Sequence, residues 1–328
     1  MIDRRAFILA SSAGVLGVRS SAIAQATPKM PRIGYLAFNT ADIGGDILMA
    51  FREAMRELGW IEGQNVVIET QFANGDVDRL PTLVETLLSH RVDVMVVGSS
   101  AATRASKSAT KTVPIVMLAS ADAVGEGFVA SLARPGGNVT GVTLLVGPDI
   151  AIKQLEFLRE IAPVATRVAV LINPRNASQA SFVAELNTSA RRFGIQLQWV
   201  RAGSPERLED AFAAMAKERA AALLVLSDAM FLGERRRITD LARTRALPAI
   251  YTQREFVDAG GLVSYGPSLI EMSRRGAQHV DKILRGAKPQ DVPVEQPTKF
   301  ELFINKRTAT ALGITIPASL QYRAEVTE

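Results

Sequence analysis

Two hydrophobic periods alternate along the chain. Runs of four to seven apolar residues read as buried strands, and between them apolar positions recur every three or four residues, as in helices with one buried face. Ile33–Phe38 is the first such strand. Residues 42–58 follow as a helix with Ile47, Phe51, Met55 and Leu58 on one face and Gly59 as its stop. A strand at Val66–Phe72, a helix over 78–89, the strand Val92–Val97, a helix after Ser100 and the strand Ile115–Leu118 complete a set.

The order begins again about 130 positions later, with a strand at Val168–Ile172. Ser178 caps a helix carrying Phe182, Leu186 and Phe193, and Gly194 ends it as Gly59 ended the first. Then come a strand over 195–200, a helix over 205–217, a strand at Ala222–Leu226, a helix over 231–245, and strands over 248–251 and 262–265. Two successive βαβαβα units predict an α/β fold of two lobes, each a parallel sheet covered by helices. One doubly wound sheet with twice the strands is the alternative. The expected division places 31–141 with 267–295 in one lobe and 142–266 with 296–328 in the other. Between the halves, Pro135-Gly136-Gly137-Asn138-Val139-Thr140-Gly141 reads as a turn and crossover. Asn138, Thr140 and Gly141 are its candidate hinge residues.

The start of the chain follows another pattern. Arg4 and Arg5 precede an apolar stretch from Ala6 to about Val18, and Ala22-Ile23-Ala24 and Ala24-Gln25-Ala26 offer small residues for cleavage. This order is that of a secretory signal with a twin-arginine start, over residues 1–26. The mature chain is then expected to be soluble and periplasmic. The sequence contains no cysteine, which excludes a lipid anchor at the cleavage point.

Composition narrows the rest. The 328 residues are 48% hydrophobic and 22% charged, in keeping with a globular core. Of the net charge of +5, the first 26 residues hold three arginines and one aspartate, a balance of +2, leaving +3 for the remainder. That is too little, and too scattered, for a nucleic-acid surface. The two histidines, His90 and His279, have no partners at zinc-ligand spacing, and no Gly-x-Ser-x-Gly elbow or cysteine nucleophile exists. No catalytic set, metal or cofactor is implied.

A ligand in such a fold sits beyond the carboxyl ends of the strands, where two facing lobes would share one cleft. Gly98-Ser99-Ser100-Ala101-Ala102 follows the third strand and opens a helix. It lacks the Gly-Lys-Ser/Thr ending of a phosphate loop, so hydroxyls and free N–H groups there suit a carboxylate. Its counterpart, Ser227-Asp228, suits an ammonium group, and together they fit an amino acid. Phe38, Asn39, Asp122, Asn173, Tyr251 and Tyr265 also fall at strand ends. Each has a structural alternative: Ser99 and Asp228 as helix caps, Asp122 as a turn former, the tyrosines as core.

"GFVASLARPGGNVTGVT" (127–143), "AGGLVSYG" (259–266) and "VEQPTKFELFIN" (294–305) resemble the ABC transporter substrate-binding family that includes tryptophan- and tyrosine-type binding proteins. "ELGWIEGQNVVIE" (57–69) and "LPAIYTQREFV" (247–257) fit as well, so the similarity spans the mature chain. The resemblance implies a type I periplasmic binding protein, a monomer with two Rossmann-like lobes joined by three crossovers. Such a protein closes on a small-molecule solute and delivers it to an inner-membrane ABC permease driven by a separate ATPase. A periplasmic sensor signalling to a membrane receptor would have the same form. The resemblance also sets the Ser99-Ser100 turn, Asp122, Asn173, Asp228 and Tyr265 on cleft loops, and Ala101 joins the candidate contacts as the next residue of that turn. Two departures touch that cleft: Gly98-Ser99-Ser100 stands where many relatives have Gly-Thr-Pro, and Ala121-Asp122-Ala123-Val124 where many have Gly-Asp-Pro-Val. An aromatic amino acid is therefore one candidate among other small carboxylates.

Overall fold

The fold opens on a strand that begins at Arg32. The computed structural model describes residues 30–144, 148–176, 178–179 and 182–327, without the side chains of Asp42 and Ile43. The expected signal at 1–26 lies outside the described residues.

The first half runs β1 (Arg32–Ala37), α1 (Ala41–Glu57), β2 (Val67–Phe72), α2 (Leu80–Ser89), β3 (Val94–Val97), α3 (Ser100–Ala109), β4 (Ile115–Ser120) and β5 (Val139–Thr143). Its five strands pair in the order β2-β1-β3-β4-β5, all parallel. The second half runs α4 (Pro148–Ile161), β6 (Arg167–Ile172), α5 (Phe182–Arg192), β7 (Gln196–Arg201), α6 (Leu208–Lys217), β8 (Ala222–Val225), α7 (Ala229–Gly233) and α8 (Arg235–Thr244). It continues with β9 (Ala249–Tyr251), α9 (Glu255–Asp258), β10 (Val263–Gly266), α10 (Leu269–Leu284), β11 (Glu301–Asn305), α11 (Lys306–Ala311), α12 (Ala318–Arg323) and β12 (Glu325–Thr327). A second sheet, β12-β11-β10-β9-β8-β6-β7, is parallel except where β11 runs antiparallel to β10.

Two separate sheets replace the single doubly wound alternative. The interior strands β3 and β8 are buried at every position, as strands covered on both faces by helices must be. The helix expected over 231–245 is two helices meeting at Glu234.

Helix α10 follows the second lobe's strand β10 but packs along α1 and over β4 of the first sheet. Trp60 Nε1 donates to Asp281 Oδ1 at 2.8 Å, Ser273 Oγ donates to the Ile47 carbonyl at 2.7 Å, and Arg274 pairs with Glu57 at 3.1 Å. Gly276 permits this approach, since a Cβ there would lie 2.0 Å from Leu118 Cδ2.

Among the described residues the chain therefore passes between the sheets three times: after β5, between β10 and α10, and between α10 and β11. The segment expected as a turn and crossover is strand in part, because Thr140 and Gly141 lie inside β5, ahead of the first passage between the sheets. Asn138 Nδ2 donates to the carbonyls of Thr110 and Val113, and Thr140 Oγ1 to that of Val292 at 2.6 Å. Gly141 has φ +123°, and a Cβ on it would lie 2.2 Å from the Met117 carbonyl oxygen. Close strand approach, not freedom to bend, explains the glycine. The third crossover pairs with β5: Thr143 N donates to Glu295 O at 3.0 Å, and Glu295 N to Gly141 O at 2.9 Å.

Candidate functional site

A cavity of about 1070 Å³ lies between the carboxyl ends of the two sheets. Loops after β1, β3 and β4 supply Phe38, Asn39, Ser99, Ser100, Ala101 and Glu126; loops after β6 and β8 supply Asn173, Arg175, Asn176 and Asp228. Phe38, Leu80, Leu144, Met230 and Leu232 give it an apolar wall.

The second-lobe side is built around Asp228. Its carboxylate accepts from Asn173 Nδ2 at 3.1 and 3.2 Å, Asn176 Nδ2 at 2.9 Å, Met230 N at 2.9 Å and Phe231 N at 3.3 Å. The last two bonds cap α7, so the structural role weighed for this residue is real. Asn173 is itself fixed: its N donates to Gln179 Oε1 at 2.8 Å, and its Oδ1 accepts from Arg175 N at 2.9 Å. Burial pushes the Asp228 carboxyl above the usual range; the two asparagine amides and the α7 N–H groups act against it without cancelling it. No cation is among the groups that act on it. A desolvated carboxylate with only dipoles around it gains most from a positive charge brought into the cavity.

The first-lobe side is different. Ser99 caps α3, its Oγ accepting from Ala102 N at 3.1 Å, which leaves its hydroxyl proton to donate. Ser100 Oγ accepts from Ala121 N at 3.0 Å and donates to Glu126 Oε1 at 2.6 Å. Arg104, one turn along α3, pairs with Glu126 Oε2 at 2.7 Å. An endogenous carboxylate thus takes the hydroxyl of Ser100 and the nearest cation. Asn39 Oδ1 is buried with no hydrogen-bond partner.

Three expected residues do not line the cavity. Asp122 is exposed and folds back on its own turn, Oδ1 accepting from Gly125 N at 2.8 Å. Tyr251 is buried with its ring stacked 4.5 Å from that of Phe256. Tyr265 packs edge-on against Phe157 of α4, with centroids 4.9 Å apart, and beside Phe300. Both tyrosine rings fill spaces between sheet and helix, the burial that aromatic groups ordinarily serve. Conversely, Arg104, Glu126, Arg175 and Asn176 were not foreseen. Asn176 had a signal, lying three residues beyond Asn173 in the same loop; Glu126 had none.

The profile of the family described as ABC transporter substrate binding protein matches residues 42–327. The chain belongs to that family. Within reach of it lies the tyrosine-binding protein of Clostridioides difficile (strain R20291), 25% identical over 264 residues, which are 80% of this chain and 75% of that one. Among solved structures, a conserved domain protein from Vibrio cholerae superposes with a TM-score of 0.85 and 27% identity over 92% of this chain and all of that one. The ABC domain from Streptococcus pneumoniae in complex with L-Trp superposes at 0.83, with 25% identity over 90% and 99% of the two chains. As a family member, the chain is a solute-binding protein with two Rossmann-like lobes of the type I form. No helix among the described residues is long and apolar enough to cross a membrane.

Proposed function

We propose that this ABC substrate-binding protein works outside the cytoplasmic membrane in solute uptake, presenting its solute to a permease driven by a separate ATPase. The solute is a small ammonium-bearing compound held in the cleft with its charge on Asp228. The division into lobes that carries this reading is 31–141 with 267–295 against 142–266 with 296–328. Ligand contacts to both lobes favour the closed arrangement over the open one. A dissociation constant near 1 μM corresponds to about 8 kcal/mol, enough to shift a lobe equilibrium of a few kcal/mol.

One observation carries the reading: a buried carboxylate, raised by burial, with four donors and no cation, lining the inter-lobe cavity. The names of two relatives, one tyrosine-binding and one bound to L-Trp, support an aromatic body on the solute. The carboxylate of an amino acid would have the Ser99 hydroxyl and the first N–H groups of α3 to bind.

The test is a thermal-shift screen of the protein against amines and amino acids, followed by calorimetry on the best binder. A binder at 100 times its dissociation constant adds about 2.7 kcal/mol of stability. Asp228→Asn keeps the size and the α7 cap but not the charge, and should weaken binding by about 2–5 kcal/mol. Unchanged affinity in this variant would remove Asp228 from the site.

A further inference from the structure

We propose that Glu126 closes the carboxylate end of the cleft, and that the solute is an aromatic primary amine without a carboxylate. The inference rests on the reading of Asp228 as the ammonium partner and goes further, to the other end of the molecule. Glu126 comes from the loop after β4, and its side chain is only 7% exposed. It stands where a solute carboxylate would, at the mouth of α3, bound to Ser100 Oγ at 2.6 Å and Arg104 at 2.7 Å.

A carboxylate arriving there would find those two partners held by Glu126 and would meet the negative charge of Glu126 itself. What remains unmet in the cavity points the same way. Asp228 lacks a cation, and Asn39 Oδ1 is a buried acceptor with no donor. Asn39 sits close to the second lobe, 3.5 Å from where a Cβ on Gly233 would be, so a donor reaching it lies between the lobes. The needs of the cleft are thus for N–H and O–H donors and positive charge, set against the apolar wall of Phe38, Leu80, Met230 and Leu232. An aromatic amine supplies these; its parent amino acid adds a negative charge beside Glu126, with the Ser99 hydroxyl and the first N–H groups of α3 left to it but not the Arg104 cation.

Matched pairs that differ by the carboxylate test this directly: tyramine against L-tyrosine, tryptamine against L-tryptophan, and phenethylamine against L-phenylalanine. Calorimetric titration of the mature protein should find at least one amine bound tenfold or more tighter than its amino acid. In Glu126→Gln, the amide keeps the bulk but not the charge, and the ratio should fall at least tenfold toward the amino acid. The wild-type ratio stands by itself should that variant fold poorly, and Arg104→Gln provides a second probe, which should penalise the amino acids further. An amino acid that binds as well as its amine, a ratio unmoved in Glu126→Gln, or no response to any of the three amines overturns the proposal. Asp228→Asn separates this from the underlying reading. If the amino acid wins and Asp228→Asn abolishes its binding, Glu126 has been misjudged and Asp228 has not. If a bound amine ignores Asp228→Asn, the Asp228 reading itself falls.

Discussion

At the scale of single residues, Asp228 makes the cleft sensitive to acid. An ammonium group binds the ionised carboxylate, so protons compete with the solute. Because burial raises the carboxyl of the empty site, competition begins at a higher pH than the ordinary aspartate value of about 4. Affinity should level off above the empty-site value and fall about tenfold per pH unit below it. Calorimetry from pH 8 to 4 checks this; a profile that stays flat down to ordinary aspartate titration would place the charge elsewhere. The sequence made Asp228, Ser99 and Asn173 legible, since each directly follows a buried strand and strand ends of an α/β sheet converge on one side. Tyr251 and Tyr265 also end strands, yet a strand-end side chain can face either side of its sheet, and these two face covering helices. Glu126 was invisible for a different reason. It belongs to a long loop after β4, and no periodicity says where a loop residue folds back.

At the scale of elements, the β5 sequence reads as part of a turn and crossover because glycines and an asparagine flank a short Val-Thr-Gly-Val-Thr run. The structure gives these residues full strand pairing, and Gly141 is required by the nearness of Met117. Gly141→Ala would combine a positive φ with a backbone overlap at 2.2 Å and should destabilise the protein by roughly 2–4 kcal/mol. Urea denaturation reads this directly, and a loss below about 0.5 kcal/mol would mean that the strand moves aside at little cost. Most helices are legible from their apolar faces, whereas β11, which runs antiparallel to β10, is not, since Glu301–Asn305 is short and follows a proline-rich stretch.

For the whole molecule, Arg175 of the second lobe pairs with Asp78 of the first across the cleft at 3.4 Å. Both side chains are largely exposed, at 56% and 84%, so the pair should contribute less than about 1 kcal/mol. Arg175→Ala is expected to change solute affinity by under about fivefold, measured by the same titration. A much larger loss would mean that Arg175 holds an anionic group of the solute.

The attachment of α10 to α1 has a consequence for how the protein is made. Trp60 meets its partner Asp281 across 221 positions of sequence, and the flank of α1 that α10 covers stays bare until that later helix exists. A ribosome that has finished the fifth strand has therefore released the strands of the first lobe without the helix that seals them. Synthesis must run through the second lobe and back before the first can mature. During that interval, a chaperone would find its natural client surface on the nascent α1.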